Sequence, residues 1–187
     1  MKKKEIVIAA DLISHDLDME MALTKVLSSN VICFHNPDEQ NGYLSNWYLS
    51  DFLSNGINFT SMEQYMMCSK AILFEDKTIA KLIMQTSDVF KIKVLGREIQ
   101  GFKDAVWNSN KYSIVLNGVY HKFSYNAKLC KQLLSTGDSV LAECAVKDTI
   151  WGIGLSMHDT KRFNQDAWRG TNLLGKALME VRDKLKM

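Results

Sequence analysis

The stretch Ser61-Met-Glu-Gln-Tyr-Met-Met-Cys-Ser-Lys-Ala-Ile-Leu-Phe74 constrains the fold more than any other part of the chain. On a helical wheel at about 100° per residue, Met62, Tyr65, Met66, Ile72 and Leu73 cover one side, while Met67, Ala71 and Phe74 cover much of the other. A helix apolar nearly all round belongs at the centre of a domain, with other elements packed on several sides. Thr60 with Glu63, or Ser61 with Gln64, supplies a capping box for its start. On this apolar background Glu63 and Lys70 fall within about 20° of each other, two turns apart. Two charges there are costly unless they are paired or open to a pocket. One reading is that this face meets solvent and both are ordinary surface charges. The other is a carboxyl group and an amine lining one cleft, with pKa values shifted by burial.

The rest of the pattern supplies elements to pack around that helix. Residues 5–10 and 31–35 read as short strands, and 16–29 as a helix with Leu17, Met21, Leu23 and Leu27 among its apolar positions. The polar run 36–42 is a loop, and Asn55-Gly56 marks a hairpin turn. Helices are predicted over 76–85, 87–95, 103–117 and 126–135, with Gly137 as a stop, followed by a strand within 139–145. In the last helix, 173–185, Leu173, Leu174, Ala177, Leu178, Val181 and Leu185 share one arc and cap the core. With 187 residues, 47% of them hydrophobic, the chain can build one real core. The expected fold is mainly α, an α+β domain with a few short strands in a compact single unit.

Composition narrows the partners. A formal net charge of +2 argues against strong duplex-DNA binding, which rests on neutralising many phosphates, but leaves room for a pocket holding one or two. The apolar run from Ile6 ends at Asp11, shorter than the roughly 7–15 residues of a signal-peptide core. No apolar stretch approaches the roughly 18 residues of a membrane span. Cys33, Cys68, Cys130 and Cys144 form no C-x-x-C pair, and Cys33-x-His35 is a metal-like spacing without a second half. Buried reduced thiols in a cytoplasmic protein, with no metal and no cofactor, are the expectation.

Several further residues suit a pocket. Any of Trp47, Trp107, Trp151 and Trp168 could stack on a base or fill core. Trp151 stands out because Gly152 and Gly154 permit close approach of backbone to a ligand. Asp148, just before it, is a second carboxylate candidate, or else a turn residue. Arg97, after Gly96, could anchor a phosphate. His15, His35, His121 and His158 form no triad-like arrangement with a Ser or Cys.

Taken together the motifs resemble the NADAR (YbiA-like) family. Leu44-Ser-Asn-Trp47, Phe59-Thr-Ser-Met-Glu-Gln-Tyr-Met-Met67, Lys70-Ala71 and Phe74-x-Asp76 match its opening half. Leu95-Gly-Arg97, Gly101-Phe102, Trp107, Lys122-Phe123, Leu141-Ala-Glu143, Asp148, Trp151-Gly152 and Trp168-x-Gly-x-Asn-Leu-Leu-Gly175 follow in order. The match runs from about Val31 to the C-terminus, so residues 31–187 form the domain and residues 1–30 an accessory extension. The resemblance implies a compact, mainly helical domain that hydrolyses N-glycosidic bonds. Its substrates would be ribosylamino-pyrimidine phosphates of riboflavin synthesis, or ADP-ribose on guanine bases. Carried over residue by residue, Glu63, Lys70 and Asp148 are the catalytic candidates. Asn46, Arg97, Trp107, Trp151, Gly152 and Asn172 are the pocket candidates. Cys144-Ala145 and Ser124-Tyr125 depart from the usual pattern and bear on substrate choice.

Both substrate classes bond the anomeric carbon to an exocyclic amine, so the sugar ring can open to an imine. A lysine could exchange with the leaving base and form a Schiff base, provided its pKa falls from about 10.4 towards neutrality. Alternatively one carboxyl group protonates the base while another guides water to an oxocarbenium-like sugar. Two other classes compete: an ADP-ribose or nucleotide-binding module that does not cleave, and a helical protein–protein adaptor.

Overall fold

The structure is a computed structural model that describes residues 31–186. The expected strand at 5–10, the helix at 16–29 and the accessory role of residues 1–30 fall outside the described residues. Strand β1 (Val31–Phe34) is followed by a loop and a single 3-10 turn, Gly42–Leu44. Strands β2 (Leu49–Ser54) and β3 (Ile57–Ser61) then form the expected hairpin. Its two turn residues, Asn55 and Gly56, both have left-handed backbone (φ 51° and 79°), as a tight primed turn requires.

Helix α1 (Met62–Leu73) leaves β3 directly, because Ser61 ends the strand and caps the helix. The Ser61 hydroxyl accepts from the Gln64 backbone N–H at 3.1 Å, but the Gln64 amide oxygen reaches past Ser61 to the Thr60 N–H at 2.8 Å. This is the Ser61/Gln64 cap with its return bond shifted by one residue. Helices α2 (Lys77–Met84) and α3 (Val89–Leu95) follow, each started by an aspartate, Asp76 and Asp88, whose side chain accepts from the first turn. Helix α4 (Asp104–Tyr125), α5 (Ala127–Leu134), strand β4 (Val140–Glu143) and helix α6 (Leu173–Leu185) complete the order. β4 pairs in parallel with β1, Cys33 opposite Ala142 and Phe34 opposite Glu143.

α1 sits at the centre, packed against α2, α3, α4 and β3. Met62, Met66, Met67, Cys68 and Ala71 are buried in the main core with Phe52, Phe59, Val115 and Leu178. One expectation fails here: Ile72 is 59% exposed. The hairpin aromatics Phe52 and Phe59 cover that stripe at Tyr65, 6.0 and 5.1 Å between ring centres, but not two turns further on. Helix α4 also corrects the expected end at residue 117, since it continues to Tyr125. Gly118, just past the expected end, is a packing notch, where a Cβ would overlap the Tyr65 ring and the Met62 methyl. Among the described residues no helix is long and apolar enough to cross a membrane.

That continuation places Lys122 inside the core, 1% exposed. Its Nζ donates to the carbonyls of Tyr43 (2.8 Å) and Ser45 (3.0 Å), tying down the loop that leads to Asn46 and Trp47. Burial pushes its pKa down to about 7. Between about 7 and its ordinary value the unfolded chain binds this proton and the folded chain does not, so the lysine's contribution to stability grows with pH through that window. Lys122→Met, which leaves two carbonyls without their donor, is therefore expected to destabilise the domain by about 1–3 kcal/mol at pH 9 and by less at pH 6, measured by urea unfolding. A loss that is larger at pH 6 would contradict this account of the buried amine.

Candidate active site

The loop and helix are stitched together first. The Glu63 N–H, one of the unpaired donors of the first turn of α1, donates to the Asn46 carbonyl at 2.9 Å. This brings Asn46 and Trp47 beside Glu63 at one end of a cavity of about 200 Å³. Lys70, two turns along α1, lines the same cavity. From α3 and its end come Lys93, Gly96 and Arg97; from the end of β4, Glu143; and from the following loop, Asp148 and Trp151. The Asp148 carboxylate accepts from the N–H groups of Ile150 (3.0 Å) and Trp151 (2.8 Å), which holds the loop and its carboxylate at the rim.

Lys70 is half-buried, and its Nζ donates to the Gly96 carbonyl at 2.7 Å. The approach depends on glycine: a Cβ at Gly96 would overlap the Met67 thioether, so only Gly96 lets the end of α3 lie this close to α1. The amine also lies 4.5 Å from the Phe102 ring centre and 5.7 Å from that of Trp107. Burial lowers the Lys70 pKa, while the carboxylates of Asp104 and Glu63 oppose the shift.

The carboxyl groups move the other way. Burial raises Glu63 to about 7, partly offset by Lys93 and by a hydrogen bond from Trp47. Burial raises Glu143 to about 8, helped by the nearby charges of Asp148 and Glu63 and opposed by Lys93. One Glu143 oxygen, Oε2, and the Asn46 side-chain oxygen are sealed from solvent without a hydrogen-bond partner. With Glu143 mostly protonated and Glu63 about half so near neutral pH, the positive charges of Lys93 and Arg97 are under-compensated, which favours an anionic ligand. Neither Glu63 nor Lys70 makes a salt bridge among the described residues. The same residues contain no group of three His, Cys, Asp or Glu arranged to hold a metal ion.

Of the nine residues singled out from the sequence, Glu63, Lys70, Asp148, Asn46, Arg97 and Trp151 line this one cavity. Trp107 stands behind the Lys70 amine rather than in the cavity wall. Gly152 and Asn172 lie behind it: Asn172 is buried with left-handed backbone (φ 52°). Its side chain donates to the Leu141 carbonyl (2.8 Å) and accepts from the Glu143 N–H (3.1 Å), so it holds the strand that presents Glu143. Its own N–H donates to the Gly152 carbonyl at 3.1 Å. Trp168 belongs to the small core under β1 and β4, its indole N–H donating to the Arg162 carbonyl at 2.9 Å.

Glu143 and Lys93 are cavity residues that the sequence pattern does not single out. Glu143 ends a strand, where a side chain leaves the apolar layer, and the carboxyl ends of parallel strands are where α/β sheets bind ligands. Lys93 lies four residues before Arg97, one turn away on the same side of the chain.

The NADAR domain family matches residues 33–186, nearly all of the described chain. The chain belongs to the NADAR family. It is 42% identical over 145 residues to an N-glycosidase of Acanthamoeba polyphaga mimivirus, covering 75% of this chain and 85% of that one. It is 32% identical to a riboflavin biosynthesis protein of Vibrio vulnificus (strain YJ016), over 83% of this chain and 38% of the longer relative. Its fold is similar to the NMR structure of the Escherichia coli protein YbiA, with a TM-score of 0.70, 25% identity and coverage of 84% and 85% of the two chains. The α+β NADAR architecture expected from the motifs is therefore the one observed.

The electrostatics of Glu63 have a measurable signature. Because its folded pKa lies above the ordinary 4.5, the folded chain keeps a proton that the unfolded chain has lost between about 4.5 and 7. Stability falls as pH rises through that window, and the penalty is complete above it. Glu63→Gln removes the ionisable group, so its melting temperature should gain on that of the wild type as the pH is raised from 5 to 8. A gap that stays constant in thermal denaturation at the two pH values would show that the buried carboxyl does not titrate there.

Proposed function

We propose that this NADAR-family N-glycosidase hydrolyses the bond between a phosphorylated ribose and the exocyclic amine of an aminopyrimidine, with Lys70 as the nucleophile. The observation that carries this reading is a half-buried amine, its pKa lowered by burial, in one cavity with two carboxyl groups that titrate near neutral pH. Arg97 and Lys93 supply fixed positive charge for the phosphate. The similarity to a relative named as a riboflavin biosynthesis protein supports a ribosylamino-pyrimidine phosphate over ADP-ribose on guanine.

The chemistry follows from the substrate's own nitrogen. Its lone pair forms a C1=N bond as the C1–O4 bond of the sugar breaks, and the ring oxygen takes a proton from Glu63. The neutral Lys70 amine, which keeps one N–H on the Gly96 carbonyl, adds through its lone pair to C1. A proton passes from Nζ, by way of Glu63, to the base nitrogen. The C1–N bond then breaks, releasing the base and leaving a lysine Schiff base. Water, positioned by Asp148, adds to C1 and passes one proton to Nζ; the C1–Nζ bond then breaks as the new hydroxyl returns its proton to Glu63, which leaves free sugar phosphate and the neutral amine. The lowered Lys70 pKa raises the fraction able to act as nucleophile, and the raised Glu63 pKa lets one group both give and take the proton. Asn46 and Trp151 would bind the sugar from the same walls.

Incubation with a ribosylamino-pyrimidine phosphate, and separately with ADP-ribosylated guanine DNA, should release base and sugar phosphate from the first. Lys70→Arg keeps the charge but cannot form an imine, so turnover should vanish while substrate still binds. Glu63→Gln should slow the reaction by about 100-fold or more. Borohydride added during turnover should attach the sugar irreversibly at residue 70, read by mass spectrometry. An active Lys70→Arg variant would point to the route with two carboxyl groups, and binding without release would point to a non-catalytic module.

A further inference from the structure

Beside the first cavity lies a second, of about 180 Å³. Trp47, Lys93, Glu143 and Asp148 border both. Glu63, Lys70 and Arg97 line the first alone, whereas His35, Ser45 and Ala145 line the second alone. The site is therefore one cleft with two unlike lobes that meet at a pair of carboxyl groups. The first holds the nucleophile and the phosphate-binding guanidinium. The second, apart from the shared border, offers the His35 imidazole, the Asn36 amide, the Ser45 hydroxyl and the apolar surfaces of Pro37 and Ala145.

The two lobes have a common structural origin. β1 and β4 are parallel and end side by side, Phe34 opposite Glu143. The residue after β1 is His35 and the last residue of β4 is Glu143, so the carboxyl edge of this pair puts both at the same opening. Ser45 is buried, and its hydroxyl oxygen accepts from the Trp47 N–H at 3.2 Å, which leaves its own hydrogen to donate.

A phosphorylated glycosylamine is likewise made of two unlike halves: an anionic sugar phosphate, and a flat uncharged heterocycle with donors and acceptors along its edge. We propose that the lobe formed by His35, Ser45 and Ala145 receives the leaving base, with His35 reading the edge of the heterocycle, so that the bond to be broken crosses the border at Glu143 and Asp148. This division rests on the N-riboside reading above. It explains why the nucleophile is confined to the sugar side. It also gives the unpartnered Glu143 Oε2 at the border a use, as an acceptor for the N–H of the amine that joins the two halves. Base selectivity then resides in the chain around residue 35, outside the helix that performs the chemistry.

The test measures inhibition of the full-length enzyme by each half of the product, ribose 5-phosphate and 5,6-diaminouracil. His35→Trp fills the second lobe and should weaken inhibition by 5,6-diaminouracil by about tenfold or more, while ribose 5-phosphate inhibits within about twofold of wild type. His35→Phe keeps a ring of similar size but loses the edge contacts, and should weaken the base several-fold with the sugar phosphate again unchanged. Unchanged ribose 5-phosphate inhibition also reports that each variant is folded. If 5,6-diaminouracil inhibits both variants as strongly as it does wild type, the division of the cleft is wrong while the N-glycosidase reading stands. If the wild-type enzyme releases no base from a ribosylamino-pyrimidine phosphate, the reading and the division fail together.

Discussion

Burying a carboxyl group in the first turn of a central apolar helix is the constraint on which the rest of this structure turns. Glu63 is 3% exposed, and an ionised carboxylate there has little water to stabilise it. The fold answers by surrounding it with groups that are individually incomplete: an indole N–H from Trp47, the charges of Lys93 and Arg97, and the cavity itself. None is a close ion pair, so the group is left poised between its two protonation states rather than locked into one. A salt bridge to Lys70 would have stabilised both charges and held each group in its ionised state.

The same economy shapes Lys70. Its hydrogen bond to a backbone carbonyl orients the amine without supplying the negative charge that would hold its proton. That bond exists only because Gly96 allows two helices to touch, and Met66 and Met67 supply the apolar wall. Lys122 shows the alternative use of a buried amine. It is wholly enclosed, meets two carbonyls, and fixes the loop that carries Asn46 and Trp47. One lysine is a wholly enclosed strut, whereas the amine of the other faces a cavity.

Much of this was legible beforehand for a physical reason. Helix α1 declares itself by a capping box and an apolar surface, and Glu63 and Lys70 stand out because charges on such a surface are costly wherever it packs. Asp148 and Trp151 were marked by a turn and two glycines. Glu143 and Lys93 were not legible, because a carboxylate ending a strand and a lysine on an amphipathic helix look like ordinary surface residues until the chain is folded. The family resemblance assigns Asn172 to the pocket, but its hydrogen bonds give it to the backbone behind Glu143. The extension of α4 past Gly118 and the exposure of Ile72 are not local properties either: the first goes with the packing of Gly118 on Tyr65 and Met62, the second with where the hairpin aromatics lie.

By itself the amino-acid sequence determined the element types, the central position of α1 and the stripe that carries Glu63 and Lys70, because helical periodicity and capping are local properties of neighbouring residues. Only the tertiary structure decided that this stripe opens into a cleft rather than to solvent. It alone set β1 beside β4 in parallel, with His35 and Glu143 at one edge, and so divided the cleft into two lobes. Those outcomes depend on contacts between residues about a hundred positions apart, and on how much water each charge retains, quantities that no local pattern encodes.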